Sequence, residues 1–292
     1  MYMPPTITQR HPPLPLSELL PLIKDFAFMP LNEKKAVIDR LVSVHPTFNL
    51  VWGSGSKYRR CRAIQKDEIP EHVDQLIWRV GVPARLGRAN PEGFQVLYLA
   101  DRPETALSET HVTDGHVVMT DFVIREGRSI RVAPIGEMAN VQRNGRGYLS
   151  NEIASAVDGM INACDYYEIR SLLITDAFLW DCFVKSDEYE VTSHVAHAIF
   201  SKNNQINAIV YPSRRQFGAV NFAIKVDGFW DAWGIESVRY GHAVHLAMGY
   251  FDFRGSKGVD GIYNDGRLRW KSLDNPNGGI LLGPPFHKEG ST

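Results

Sequence analysis

One carboxylate and a few guanidinium groups carry most of the chemical promise in this chain. Glu109 ends the run Asp101-Arg102-Pro103-Glu104-Thr105-Ala106-Leu107-Ser108-Glu109. That run follows seven residues, Phe94 to Ala100, whose alternation predicts a strand with Phe94, Val96 and Tyr98 on one face and Leu97 and Leu99 on the other. Before the strand, Asn90-Pro91-Glu92-Gly93 has turn chemistry, with proline second and glycine fourth. Asp101 with Glu104 reads as a capping-box-like start to a short helix that carries Glu109 on its second turn. A turn, a strand and a helix that fold back together let Arg88, Tyr98 and Glu109 border one cleft. The same segment also suits a plain β-turn-β-α unit with a surface arginine, a half-buried tyrosine and a solvated glutamate.

Upstream, Lys57-Tyr58-Arg59-Arg60-Cys61-Arg62 holds four cations in six residues. On a strand, Arg60 and Arg62 project to one face and Arg59 and Cys61 to the other. Neighbouring guanidiniums repel unless an anion or carboxylates lie between them, and their planar forks match phosphate. A solvated cluster paired with surface acids is the alternative. Downstream, the apolar run Ile206 to Tyr211 is halted by Pro212, which leaves the Ser213 hydroxyl at the mouth of a strand. Asn221 sits inside the otherwise apolar run Ala219 to Ile224, where a buried amide needs hydrogen-bond partners, structural or functional.

Common catalytic motifs are absent. The sequence contains no G-x-G-x-x-G opening a helix, no G-x-x-x-x-G-K-[ST], no G-x-S-x-G and no H-E-x-x-H. Gly53-Ser54-Gly55-Ser56-Lys57 has the wrong spacing for a phosphate loop and reads as a turn. Two H-x-x-H pairs, His194/His197 and His242/His245, share helix-like spacing but have no third ligand at short range, so no metal is expected.

The elements that must position these groups belong to an ordinary globular chain of 292 residues, 44% apolar and 22% charged. Thirty-two basic residues face thirty-three acidic ones, so no global field favours nucleic acid or anionic lipid, and anion recognition must be local. Three cysteines, Cys61, Cys164 and Cys182, argue against a disulfide framework. No apolar run reaches the roughly 20 residues of a membrane span, and no basic segment leads into an apolar one at the start. A cytoplasmic protein without membrane contact is the expectation.

Seven of the seventeen prolines fall in the first thirty residues, so residues 1–15 are expected to be extended, loosely docked or disordered. Helices are predicted at 17–26 and 32–44, the second with Asn32 as N-cap and Val37, Leu41 and Val44 as its apolar stripe. Such an element needs the main domain or a partner, including a second copy, to cover its apolar face. Further helices are predicted at 150–163 and 189–201, and strands at 94–100, 117–124, 206–211 and 219–226. Helices and strands do not alternate as in a βαβ array, which points to an α+β domain with a mixed sheet. The division is a Pro-rich, helical N-terminal extension (1–50), a body (51–250) and a tail (251–292) rich in Gly278, Gly279, Asn275 and Asn277, expected to be loops with a short strand at most.

Taken together, Arg60-Cys61-Arg62, GRANPEGFQVLYLADRPETALSE (87–109) and YPSRRQFGAVNFAI (211–224) resemble the RES-domain family, named for its arginine, glutamate and serine. The matching stretches span most of residues 57–226. The resemblance implies an ADP-ribosyltransferase-like fold and consumption of NAD as substrate, with phosphate or water as the acceptor of ADP-ribose. It places the family's arginines on Arg60 and Arg88, its tyrosine on Tyr98, its glutamate on Glu109 and its serine on Ser213. By implication Glu109, Arg60 and Ser213 are catalytic, and Arg60, Arg62, Arg88, Tyr98, Ser213 and Asn221 bind the dinucleotide. Arg59, Arg60 and Arg62 compete for the first arginine; Arg60 is preferred because R-x-R followed by an apolar residue fits the pattern. Leu86-Gly87 stands where a glycine pair is frequent, and Ala89 where an aromatic is. Many members are toxins, which implies an antitoxin partner. Transfer of ADP-ribose to a macromolecule, and a non-catalytic NAD-binding module, are the competing readings.

The implied chemistry suits a single carboxylate. Nicotinamide leaves from a pyridinium and becomes neutral by departing, so the general acid of ordinary glycosidases is not needed. One carboxylate beneath the ribose can stabilise the cation developing at C1′.

Overall fold

The structure is a computed structural model and describes residues 4–148 and 150–273. Helices are Ile7–Arg10 (α1), Leu16–Asp25 (α2), Leu31–Val44 (α3), Pro103–Glu109 (α4), Glu137–Asn144 (α5), Asn151–Asn162 (α6), Tyr166–Lys185 (α7), Tyr189–Lys202 (α8) and Phe229–Ala232 (α9). Strands are Leu50–Gly53 (β1), Lys57–Ile64 (β2), Val96–Ala100 (β3), Asp114–Ile124 (β4), Ser129–Pro134 (β5), Ala208–Pro212 (β6), Val220–Lys225 (β7), Trp233–Ala247 (β8), Tyr250–Ile262 (β9) and Leu268–Ser272 (β10). Antiparallel and parallel pairing both occur, as expected for a mixed α and β architecture. No helix among the described residues is long and apolar enough to cross a membrane.

The chain folds into two compact units, each assembled from three segments. Among the described residues, one comprises 4–50, 85–94 and 131–211; the other comprises 51–84, 95–130 and 212–273.

The first unit is mainly helical, with β5 and β6 paired in parallel through Val132 and Ala208. Met138, Val141, Ala154, Val157, Ile161, Ile169 and Leu172 bring α5, α6 and α7 onto one apolar cluster. The stripe of α3 is real: Val37, Ile38 and Leu41 are buried, and α3 packs on α8. Lys34 Nζ meets Glu188 at 2.9 Å, and Lys202 Nζ donates to the carbonyls of Val42 and His45, capping the end of α3. His45 Nε2 and Asp176 Oδ1 form a buried pair at 3.1 Å, and Asp176 Oδ2 accepts from Ala139 N.

Two local expectations fail here. Residues 4–15 are not loosely laid down: Thr6 and Gln9 make a capping box for α1, Thr8 and Leu14 are buried, and Ser171 Oγ donates to the Leu14 carbonyl. The N-cap of α3 is Pro30 rather than Asn32, because proline's fixed φ already sets the entry to Leu31. The twenty residues of α7, absent from the sequence reading, start at the N-cap Asp165, whose carboxylate accepts from Tyr167 N and Glu168 N.

The second unit holds an antiparallel run of strands in the order β7-β3-β2-β4-β8-β9-β10. Tyr58, fully buried, meets Phe222 and Trp233 edge-on at 5.0 and 4.8 Å. These contacts pin one face of the sheet near β2. On the other face lies α4, where Ala106 and Leu107 pack with Ala100, Val117, Met119, Ala243 and Phe253, and with Cys61 against the edge of the cluster. Asp101 does not form the expected capping box; the N-cap is Arg102, and Asp101 Oδ1 instead accepts from Thr105 Oγ1 at 2.8 Å.

The stretch after residue 251 departs from the expected loops. Residues up to Ser272 contribute β9 and β10; Gly278, Gly279, Asn275 and Asn277 lie outside the described residues. The glycines mislead because they serve close approach within the ladder rather than flexibility. A Cβ on Gly258 would stand 3.0 Å from Leu273, and one on Gly241 would stand 2.2 Å from the Arg254 carbonyl oxygen. Gly241→Ala is therefore expected to force β8 from β9 and cost about 1–3 kcal/mol. A lower thermal denaturation midpoint with unchanged secondary-structure signal at low temperature would register it.

Candidate active site

Glu109 is the last residue of α4, exposed at the end opposite the helix's buried start. Its carboxylate does not swing freely. Ser213 Oγ donates to Glu109 Oε1 at 2.8 Å, and Asn221 Nδ2 donates to the same oxygen at 2.7 Å. Ser213 is itself fixed: its backbone N–H donates to the Ala219 carbonyl, and its Oγ accepts from Arg215 N and Gln216 N. Asn221 is buried in β7, opposite Ala100 of β3. With Oε1 doubly engaged, Oε2 has no protein partner among the described residues.

The neighbouring cations are sorted by β2. Arg59 faces the same side as Ala100, Asn221 and Asp121, by ladder register. It is committed to structure: Nη1 donates to the carbonyls of Lys57 and Asp101, and Nε lies 3.7 Å from Asp121 Oδ1. Arg60 and Arg62 leave the strand on the opposite side. The ladder between β2 and β3 has one rung, Arg59 with Ala100, and beyond it Arg60 Nη1 takes the Tyr98 carbonyl at 3.2 Å. The Arg60 Nε is buried without any hydrogen-bond partner. No carboxylate lies within 4 Å of Arg60 among the described residues. Burial, and secondarily the charge of Arg62, push its guanidinium down to about 10.

Arg62 is anchored by the carbonyls of Gln75 and, at 2.9 Å, Ile77. It lines a cavity of about 640 Å³ together with Cys61, Ala63, Arg79, Glu109 and Thr110. Burial pushes the Cys61 thiol up to about 12, so it stands there as a neutral wall rather than a nucleophile. Cys61, Arg79 and Thr110 were not singled out as site residues. Arg79 has no motif around it, and only the fold brings it to the cavity.

Of the expected site residues, Glu109, Ser213 and Asn221 are bonded directly to one another, Arg60 meets the backbone of Tyr98, and Arg62 shares the cavity of Glu109. Arg88 belongs to the helical unit. Its Nη1 donates to the carbonyls of Phe183 and Ser186 at 2.8 and 3.2 Å, and its guanidinium lies 5.3 Å from the Tyr189 ring centre. Those bonds tie the Gly87–Asn90 turn to the end of α7.

The two H-x-x-H pairs have local partners. His194 meets Asp39 and His242 meets Asp114, each at 2.8 Å; His197 packs edge-on against Phe94, and His245 accepts from Gly249 N. No group of three or more His, Cys, Asp and Glu able to hold a metal occurs among the described residues. Gly53 to Lys57 forms the turn between β1 and β2, with Gly55 at φ +109°.

A search of curated proteins finds no match. A family model described as the RES domain matches residues 61–241, which include Arg62, Tyr98, Glu109, Ser213 and Asn221 and begin one residue after Arg60. With most of its length covered, this chain belongs to the RES-domain family.

Proposed function

We propose that this protein consumes NAD by breaking the bond between nicotinamide and ribose and passing ADP-ribose to water or phosphate. The observation that carries the reading is the Glu109 carboxylate, held at Oε1 by Ser213 and Asn221 with Oε2 left for a ligand. Oε2 would sit beneath the ribose and hold one of its hydroxyls. As the C1′–N1 bond breaks, its electron pair goes to nicotinamide, which departs neutral. The positive charge left on C1′ and the ring oxygen faces the carboxylate, and an aimed charge of this kind is typically worth a few kcal/mol. An oxygen of water or phosphate then bonds to C1′; for water, the released proton passes to solvent.

Ser213 and Asn221 are orienting groups in this scheme. A carboxylate on an exposed helix end would otherwise sample several rotamers, and two donors on one oxygen fix which lone pairs point outward. The Arg60 guanidinium offers unused donors and an uncompensated charge, which fit the diphosphate. The Tyr98 ring, from the adjoining strand, is suited to stacking on nicotinamide. The ADP-ribosyltransferase-like kinship of the fold and a toxin role neutralised by an antitoxin are carried by the family likeness, and they belong to this proposal rather than to the geometry.

Purified protein incubated with NAD, with and without phosphate, tests the reaction by mass spectrometry. Free ADP-ribose marks hydrolysis and ADP-ribose-1″-phosphate marks phosphorolysis; intact NAD overturns the proposal. Glu109→Gln should keep the fold and most of the NAD affinity while turnover falls about 10²-fold or more. Parental turnover in that variant would remove the carboxylate from the mechanism.

Arg60→Ala should act differently, raising KM about tenfold or more through the lost charge-assisted contact. An unchanged KM in steady-state kinetics would place the diphosphate elsewhere.

A further inference from the structure

We propose that Arg62 and Arg79 form a second phosphate-binding subsite on the wall of the Glu109 cavity, separate from the Arg60 contact. The inference rests on reading this cavity as the dinucleotide site, and it adds a group that Arg60 does not hold.

Arg62 and Arg79 are both among the residues lining the space that Glu109 borders. Arg62 is held in place by the Gln75 and Ile77 carbonyls, which are neutral acceptors and leave its charge uncompensated. Arg79 is exposed, but its backbone is anchored: Gln95 Nε2 donates to the carbonyls of Arg79 and Val82 at 2.9 and 2.6 Å. The two cations lie close enough for Arg79 to add to the burial that lowers Arg62.

Among the described residues, neither has a carboxylate within 4 Å. Six arginines of this unit, Arg59, Arg102, Arg239, Arg254, Arg267 and Arg269, do meet an aspartate. Asp74 and Glu109 also line the cavity; the Asp74 backbone N–H donates to His72 Nδ1 at 3.2 Å, and its carboxylate forms no ion pair with either arginine among the described residues. Two neighbouring cations, neither with a carboxylate within 4 Å, are relieved by a dianion, and tetrahedral phosphate oxygens match two guanidinium forks. That phosphate has two possible sources: free orthophosphate, which could then serve as acceptor, or the 2′-phosphate of NADP.

Calorimetric titration separates them. The protein carries Glu109→Gln so that bound dinucleotide is not consumed, and it is compared with and without the added exposed substitution Arg79→Gln. Inorganic phosphate, NAD and NADP are the probes. Arg79→Gln should weaken inorganic phosphate about tenfold or more if the subsite takes the free ion. It should weaken NADP by that factor relative to NAD if the subsite takes the 2′-phosphate, and Arg79→Lys should restore part of either loss. The proposal is overturned if phosphate affinity and the NADP-to-NAD ratio are both unaffected by Arg79→Gln, or if the Glu109→Gln protein neither binds phosphate nor prefers NADP. Nicotinamide release from NAD by the parental protein is scored apart, so failure of the cleavage reaction is not confused with failure of the subsite.

Discussion

Two hydrogen bonds converging on one oxygen of Glu109 set the terms for the surroundings of that carboxylate in the second unit. A glutamate at the exposed end of a two-turn helix is ordinarily mobile and solvated. Here Ser213 and Asn221 arrive from a strand-connecting loop and from β7 and spend their donors on Oε1. Asn221 can do so because the apolar strand around it buries its amide and leaves the carboxylate as its partner. Ser213 can do so because the turn behind it supplies two backbone N–H groups to its oxygen, which orients the hydroxyl hydrogen outward. Sheet and turn thus exist, locally, to aim a single charge.

The cationic strand opposite shows how a fold separates structural from available charge by parity alone. Arg59 and Arg60 are neighbours, yet strand alternation sends them to different faces. Arg59 finds Asp121, which also receives Arg239 and the Ser237 hydroxyl, so its charge is absorbed into the sheet. Arg60 finds a carbonyl and nothing anionic. A buried guanidinium in that condition costs free energy that a counter-charge beside it would return. Among Arg59, Arg60 and Arg62, only Arg59 is tied to a carboxylate of the described residues; Arg60 and Arg62 meet carbonyls alone.

Local pattern made part of this legible. Alternation from Phe94 to Ala100 and the short helix after it could be read residue by residue, and so could the halting of β6 by Pro212 and the polar Asn221 in an apolar strand. What could not be read depends on distant partners. Arg88 looks equivalent to Arg60 in sequence, but its anchors are the carbonyls of Phe183 and Ser186, nearly a hundred positions later. Arg79 acquires meaning only because Gln95 pins its backbone beside Arg62. The glycines of β9 resemble loop composition, since nothing in a single sequence tells a flexible glycine from one that lets Leu273 approach. For α7, the alternating apolar and polar residues carry a weak amphipathic signal, and the helix is fixed largely by what packs against it.

The distances along the chain between Glu109 and its two donors, 104 and 112 residues, carry a consequence for biosynthesis. Translation proceeds at about 5–20 residues per second, so a nascent chain displays the helix bearing the acid for roughly 5–20 s before the serine is even polymerised. Throughout that interval the carboxylate is an untethered surface group. Both donors come from the final third of the polypeptide, so the contacts that fix the carboxylate form late, and a ribosome-bound fragment ending before residue 213 lacks them both.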